Sequence, residues 1–210
     1  MADKARGLPV CVESMQGILA GRKTMKRRVG KCRITETCGW IANAELLAPY
    51  GGPGQLVYFR EPLRRDSIMG MFNIGLSRGI VTYAVDGTFA PTAKQTEGWR
   101  WKNKSLPGYL MPRRLARACA TISEVRFEKL VDISEADAIA EGCQHCCNGE
   151  NCNCHGEAAI CEYIAWWNRL NEKKGFGWGA ALDGKWHGWV SVTSWTDLVV
   201  GWEKVQEMLR

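Results

Sequence analysis

Short runs of β-forming residues alternate along this chain with short helical signals, and this alternation limits the folds available to it. The runs lie at residues 8–13, 55–60, 80–85, 118–127 and 186–195. They are rich in branched and aromatic residues and end at glycine, proline or Asp-Gly turns, which is typical of strands. Five or six strands with short helices between them predict an α+β domain built on a small, mostly antiparallel β-barrel.

Helical signals flank these strands, and the predicted helices lie at residues 14–21, 134–142, 157–171 and 196–210. Ser14, Ser134 and Asp197 are residue types that cap helix N-termini. Gly21 and Gly142 stand where helices commonly end in a left-handed residue. Apolar residues at helical spacing support the two later helices. We therefore predict short helices flanking the barrel.

Length and hydropathy place the chain among globular proteins. Its 210 residues fit one domain with room for insertions, and 46% of them are hydrophobic. A chain of this size buries a core without disulfide bonds, and neither disorder nor a coiled coil fits the composition. No apolar run approaches the ~20 residues that cross a bilayer, and the first residues have no apolar signal core. We expect a cytoplasmic protein with no membrane partner.

Positive charge is concentrated in two segments. Residues 22–33 contain seven basic residues and no acidic one, and residues 100–117 contain six basic residues and no acidic one. Because the net charge is +6, the rest of the chain is acidic. Two basic segments on an acidic body predict an anion site, with phosphate as the most obvious anion. A solvated basic surface without a partner is the alternative.

Six of the ten cysteines fall within residues 143–161, which we call the cysteine-rich segment. In a reducing cytoplasm such crowding indicates metal ligation rather than disulfides. A C-x2-C pair supplies half of a tetrahedral zinc site, and two later donors complete it. We favour structural zinc, with free thiols or an iron–sulfur cluster as alternatives. The candidate ligands are Cys143, Cys146, Cys152, Cys154 and His155.

Five motifs in order resemble the ASCH superfamily, whose fold is related to the PUA domain. Residues 21–28, Gly-Arg-Lys-Thr-Met-Lys-Arg-Arg, resemble its G-x-K-x-x-E-x-R signature. Further motifs resemble those of phage and prophage members, at residues 58–62, 110–113, 132–142 and 166–171. The resemblance covers residues 8–195. It implies one PUA-like domain with the cysteine-rich segment as an insertion and residues 196–210 as a C-terminal helix outside it.

The resemblance also implies candidate catalytic residues. Some bacterial relatives are amidohydrolases that remove the acetyl group from N4-acetylcytidine, and ribonuclease activity is attributed to others. Their lysine falls on Lys23 and their helix glutamate on Glu141. Lys26 stands where the amidohydrolases have a catalytic threonine, so Thr24 is the nearest candidate hydroxyl.

Three functions follow as expectations. The first is binding of RNA, or of a modified nucleobase or nucleoside, through a basic loop at residues 21–28, with DNA as an alternative ligand. The second is hydrolysis of the same ligand class by Lys23 and Glu141, as an N4-acylcytidine amidohydrolase or a ribonuclease. The third is a phage protein that binds a host protein; a phage-encoded chain would act in the host cytoplasm. The candidate nucleic-acid contacts are Arg22, Lys23, Lys26, Arg27, Arg28, Arg60 and Arg113.

Overall fold

A computed structural model describes residues 5–29, 48–66, 80–90, 102–144, 158–185 and 188–210, and there the chain is α+β, as predicted. The strands are β1 (Arg6–Pro9), β2 (Met25–Val29), β3 (Leu56–Arg60), β4 (Leu63–Asp66), β5 (Ile80–Tyr83), β6 (Ser105–Leu106), β7 (Ala118–Lys129) and β8 (Trp189–Val200). The helices are α1 (Val12–Leu19), α2 (Glu135–Ala140), α3 (Ala158–Asn171), α4 (Trp178–Leu182) and α5 (Trp202–Met208). Single 3-10 turns lie at Gly108–Leu110, Arg113–Leu115, Leu130–Asp132 and Glu172–Lys174.

The strands form one mixed sheet and one antiparallel sheet. The first has the order β1-β3-β7-β8-β2, and β1 runs parallel to β3 whereas β3 pairs antiparallel with β7 and β2 antiparallel with β8. The second has the order β5-β4-β6 and is antiparallel throughout. Neither sheet closes on itself within the described ranges, so the barrel remains a prediction.

The chain divides into two compact units. The first unit comprises residues 1–20, 55–121 and 197–210, and the second comprises residues 21–54 and 122–196. Each has its own apolar core. Core residues of the first unit include Leu63, Tyr83, Met111, Leu115 and Val205. Core residues of the second unit include Met25, Leu130, Tyr163, Trp167 and Val192.

Helix α1 begins three residues earlier than the sequence predicts. Cys11, not Ser14, is the N-cap, and its Sγ accepts the backbone N–H of Ser14 at 3.5 Å. The prediction of a strand over residues 8–13 is wrong beyond Pro9, where β1 ends. A thiol is a weak acceptor, and the sequence therefore gives little signal for this cap.

The last helix also differs from its prediction. Asp197, predicted to cap this helix, caps none; it lies inside β8 with a φ of 52°, and Leu198 follows it in the same strand. Strand β8 continues to Val200, and Gly201, with a φ of 114°, then precedes α5. The Gly201 N–H donates to the carbonyl of Arg117 at 2.9 Å, and this tertiary bond sets the start of the helix.

Two helices of the second unit, α2 and α3, match their predictions, whereas the short helix α4 was not predicted. Ser134 caps α2 by accepting the N–H of Asp137 at 3.2 Å, and Gly142 ends that turn with a φ of 94°. Helix α3 follows the predicted range to Asn171. The carboxylate of Glu135 in α2 accepts the N–H groups of the first turn of α3, from Ala159 and Ile160. These two bonds satisfy backbone N–H groups at the start of α3 that have no partner inside the helix.

A buried ion cluster organises the first unit. The Glu61 side chain is fully buried, and both of its oxygens accept from Arg117 at 2.8 Å. Arg117 also donates to Asp86 at 2.6 Å and lies 4.0 Å above the ring of Tyr83. Partial desolvation alone would raise the pKa of Asp86, but the bond and charge of Arg117, together with hydrogen bonds from Thr88, lower it. The cluster thus fixes the turn after β5 to the start of β7.

Candidate functional site

Lys23 and Glu141, 118 residues apart in the chain, form an ion pair in the second unit. The Nζ of Lys23 lies 2.5 Å from Oε2 of Glu141 and also donates to its backbone carbonyl. The side chains are 1% and 0% exposed. The N–H of Thr24 donates to the carbonyl of Ala140 at 2.9 Å, which holds the segment before β2 against the end of α2. We call Lys23 and Glu141 the buried pair.

Gly142 makes room for the buried pair. A Cβ atom at this position would lie 3.3 Å from the Cβ of Lys23, and the φ of 94° disfavours any other residue. The glycine that ends α2 thus also permits Lys23 to approach Glu141.

Arg27 adjoins the buried pair but is bound by other carboxylates. Its Nη2 donates to Glu128 at 2.6 Å and to Asp137 at 2.8 Å, and its Nη1 lies 3.6 Å from Oε1 of Glu141. Arg126 donates to the same two carboxylates. Both arginines lower the pKa of Asp137. The N–H groups of Arg27 are therefore directed at carboxylates and at Sδ of Met25 inside the protein.

Residues 25–29, read from the sequence as a basic loop, form strand β2 instead. Alternate side chains of a strand point to opposite faces, so Met25 and Arg27 are buried whereas Lys26 is half-buried and Arg28 exposed. Arg28 donates to the hydroxyl of Tyr50 at 2.7 Å.

Two aromatic residues of α3, one turn apart, complete the surroundings of the pair. The ring of Trp166 lies 5.3 Å from Nζ of Lys23, and the guanidinium of Arg27 lies 5.8 Å from the ring of Tyr163. Trp166 is half-buried, and Tyr163 is buried completely. The apolar residues that predict α3 at helical spacing, Ile160, Ile164 and Trp167, do not include Tyr163. Its position four residues before the buried Trp167 is the signal that places it on the inner face.

Two polar atoms at this site are buried without a hydrogen-bond partner in the described part of the chain. They are Oε1 of Glu141 and Oη of Tyr163. Burial, with the nearby Glu141 carboxylate, raises the pKa of Tyr163 well above its ordinary value, so the phenol is protonated at neutral pH. A carboxylate acceptor, a phenol and the Lys23 ammonium are groups suited to proton transfer and to stabilising a developing negative charge.

The remaining candidate residues lie elsewhere. Thr24 is exposed although its neighbour Lys23 is buried, so its side chain is not part of the buried pair's surroundings. Arg22 is exposed. Arg60 and Arg113 belong to the first unit, where Arg60 donates to the carbonyl of Tyr109.

Of the candidate metal ligands, the structure describes Cys143 alone. Its side chain is half-buried, and burial raises the pKa of its thiol to about 12. The described residues contain no group of three or more histidine, cysteine or acidic side chains arranged to hold a metal. The zinc prediction depends on four further residues that lie outside the described ranges: Cys146, Cys152, Cys154 and His155.

Comparisons with protein-family models, curated proteins and solved structures give no match to this chain. The ASCH resemblance therefore stays a prediction based on its motifs. Among the described residues, no helix combines the length and the apolar character that a bilayer crossing requires.

Proposed function

We propose that the protein hydrolyses an acyl amide on a nucleobase or nucleoside at the buried pair. The observation that carries this proposal is the 2.5 Å contact between Lys23 and Glu141, the lysine and glutamate that the ASCH resemblance implies as catalytic. This contact favours hydrolysis of the ligand over binding without turnover. The proposal includes a PUA-like barrel and a cytoplasmic location, as the resemblance implies.

The proposed reaction uses water as the nucleophile, because Thr24 is exposed. Oε1 of Glu141 accepts a proton from water as the oxygen attacks the acyl carbonyl carbon, and the Lys23 ammonium donates a hydrogen bond to the developing oxyanion. The carbonyl re-forms as the C–N bond breaks, and the proton held by Glu141 passes to the leaving nitrogen. The products are a carboxylic acid and the free amino base.

Entry of a ligand requires movement of the groups that cover the buried pair. Trp166 is half-buried and its ring lies 5.3 Å from Nζ of Lys23, so its indole is the side chain on which we propose that a planar base stacks. Stacking on an aromatic side chain stabilises a bound base by roughly 1–3 kcal/mol.

Binding of RNA without turnover is the second candidate function. Exposed Arg22 and Arg28 favour it, because cationic side chains on a surface can contact phosphates. Such binding weakens with salt, with a slope of about −0.7 for each phosphate contacted on a single strand. Binding to a host protein stays a prediction, and no feature of the described residues supports it.

Hydrolysis of N4-acetylcytidine by the purified protein, followed by chromatography, tests the proposal. We expect the wild type to release cytidine and the double variant Lys23→Met/Glu141→Met to be slower by at least about a hundred-fold, because the acid–base groups are lost. Equal turnover by both proteins would contradict the proposal. No turnover by the wild type, together with salt-sensitive RNA binding that persists in the double variant, would establish the second candidate.

We further propose that the cysteine-rich segment binds a structural zinc ion. Cysteine thiolates and histidine are the preferred ligands of tetrahedral zinc. We expect about one zinc ion for each chain in protein purified without chelators, measured by elemental analysis, and a lower melting temperature after chelation. Less than about half a zinc ion for each chain would contradict the proposal.

A further inference from the structure

Tyr163 and Tyr83 are the two tyrosines with almost no exposed surface among the described residues, and their hydroxyls differ. The Oη of Tyr83 donates to the backbone carbonyl of Leu115 at 2.8 Å. The Oη of Tyr163 has no partner in the described residues. A buried hydroxyl without a partner lowers the stability of the folded state, because the group has lost its bonds to water.

The ring of Tyr163, in contrast, is fully packed. Its centroid lies 5.9 Å from that of Trp166, 6.0 Å from that of Trp167 and 6.5 Å from that of Trp178. Arg27 lies over the same ring. The aromatic body is therefore held by the core, and the hydroxyl adds no bond that the described core needs.

Arg27 links the hydroxyl-bearing ring to the catalytic carboxylate. Its guanidinium lies over the Tyr163 ring at 5.8 Å, and its Nη1 is 3.6 Å from Oε1 of Glu141. That carboxylate oxygen is the second buried atom without a hydrogen-bond partner. Arg27 thus lies near Oε1 of Glu141, which is an acceptor, and near the ring that carries the Tyr163 hydroxyl, which is able to donate.

We propose that Tyr163 is a specificity-determining residue, whose hydroxyl donates to the ring nitrogen next to the acylated amino group of the base. This inference rests on the proposed function, in which Oε1 of Glu141 serves the attacking water and leaves the hydroxyl of Tyr163 for the ligand. In the N4-acylcytosine that the resemblance implies, the ring atom next to the carbon that bears the acylated amino group is N3, an acceptor. Binding of that base gives the buried hydroxyl the partner that it lacks in the described residues.

Two matched variants test this role. Tyr163→Phe removes only the unpartnered hydroxyl, and Tyr83→Phe removes a hydroxyl that has a partner. We expect Tyr163→Phe to leave the melting temperature unchanged or higher, and Tyr83→Phe to lower it, because only Tyr83 loses a hydrogen bond. Tyr83→Phe should keep the wild-type kcat/KM.

Specificity is measured with N4-acetylcytidine and its 3-deaza analogue, in which a C–H replaces N3. We expect the wild type to prefer N4-acetylcytidine by at least about ten-fold in kcat/KM, because the analogue leaves a buried hydroxyl without an acceptor. Tyr163→Phe should lose most of this preference. A merely structural role for Tyr163 would leave the preference unchanged.

The outcomes separate this inference from the proposed function. Retention of the full preference in Tyr163→Phe would overturn the inference while the hydrolase proposal stands. A melting temperature lowered as much as in Tyr83→Phe would also overturn it, since the hydroxyl would then have a partner in the folded protein. A wild type that neither binds nor hydrolyses N4-acetylcytidine would overturn both.

Discussion

Lys23→Met or Glu141→Met alone is expected to lower the free energy of unfolding by about 3–5 kcal/mol, the usual cost of leaving one buried charge without its partner. Both side chains are buried in the second unit: Glu141→Met leaves the Lys23 ammonium without its carboxylate, and Lys23→Met leaves Glu141 with only the more distant Arg27, at 3.6 Å. Urea denaturation measures the effect. Lys185→Met is the matched control, because its pair with Asp183 is mostly exposed and contributes little.

The double variant Lys23→Met/Glu141→Met is expected to recover most of the lost stability. Methionines of similar length leave no buried charge at either position, and such replacements of buried pairs are often neutral or stabilising. Arg27 keeps Glu128 and Asp137 as partners in that variant. Additive losses from the two single changes would contradict an ion pair and remove the basis for using the double variant as a folded, inactive control.

Arg117→Met is the second change with a large expected effect, about 3–5 kcal/mol in the free energy of unfolding. It strands the buried carboxylate of Glu61, which loses both of its hydrogen bonds to Arg117. The stacking of Arg117 on Tyr83 and its bond to Asp86 are lost as well. Urea denaturation monitored by circular dichroism is the measurement.

Arg126→Met is the control for this second prediction. Arg126 also contacts several carboxylates, but its side chain is 27% exposed, and all three partners reach solvent. Exposed ion pairs contribute about 1 kcal/mol or less. If Arg117→Met and Arg126→Met lowered stability equally, burial of Glu61 would not be the reason that the Arg117 cluster matters.

Local sequence signals predicted the elements whose ends depend on local bonds. The Ser134 cap and the Gly142 stop need only neighbouring residues, and both are confirmed. Ser14 and Asp197 carry the same local preference but cap no helix. Asp197 lies inside β8, which is hydrogen-bonded between β7 and β2, and a capping preference of ~1 kcal/mol does not outweigh such sheet bonding.

The candidate site was predictable only in part. The resemblance predicted Lys23 and Glu141 as catalytic candidates, and the two side chains form an ion pair in the structure. The basic segment gave no sign that Arg27 is buried, because its partners Glu128 and Asp137 lie about a hundred residues away. The Tyr163 hydroxyl, which has no partner among the described residues, could not be predicted either, since this is a property of the packed structure alone.

The two bonds from Glu135 to the first turn of α3 have a consequence for the chain between the helices. They join α2 to α3 across a separation of 24 and 25 residues and so hold the two ends of the intervening segment in place. The entropy of bringing these two ends together is then already lost on folding, and for a flexible connection each doubling of its length adds only about 0.6 kcal/mol. Residues inserted between positions 144 and 158 are thus expected to cost little in the stability of α2 and of α3, the helix that carries Tyr163.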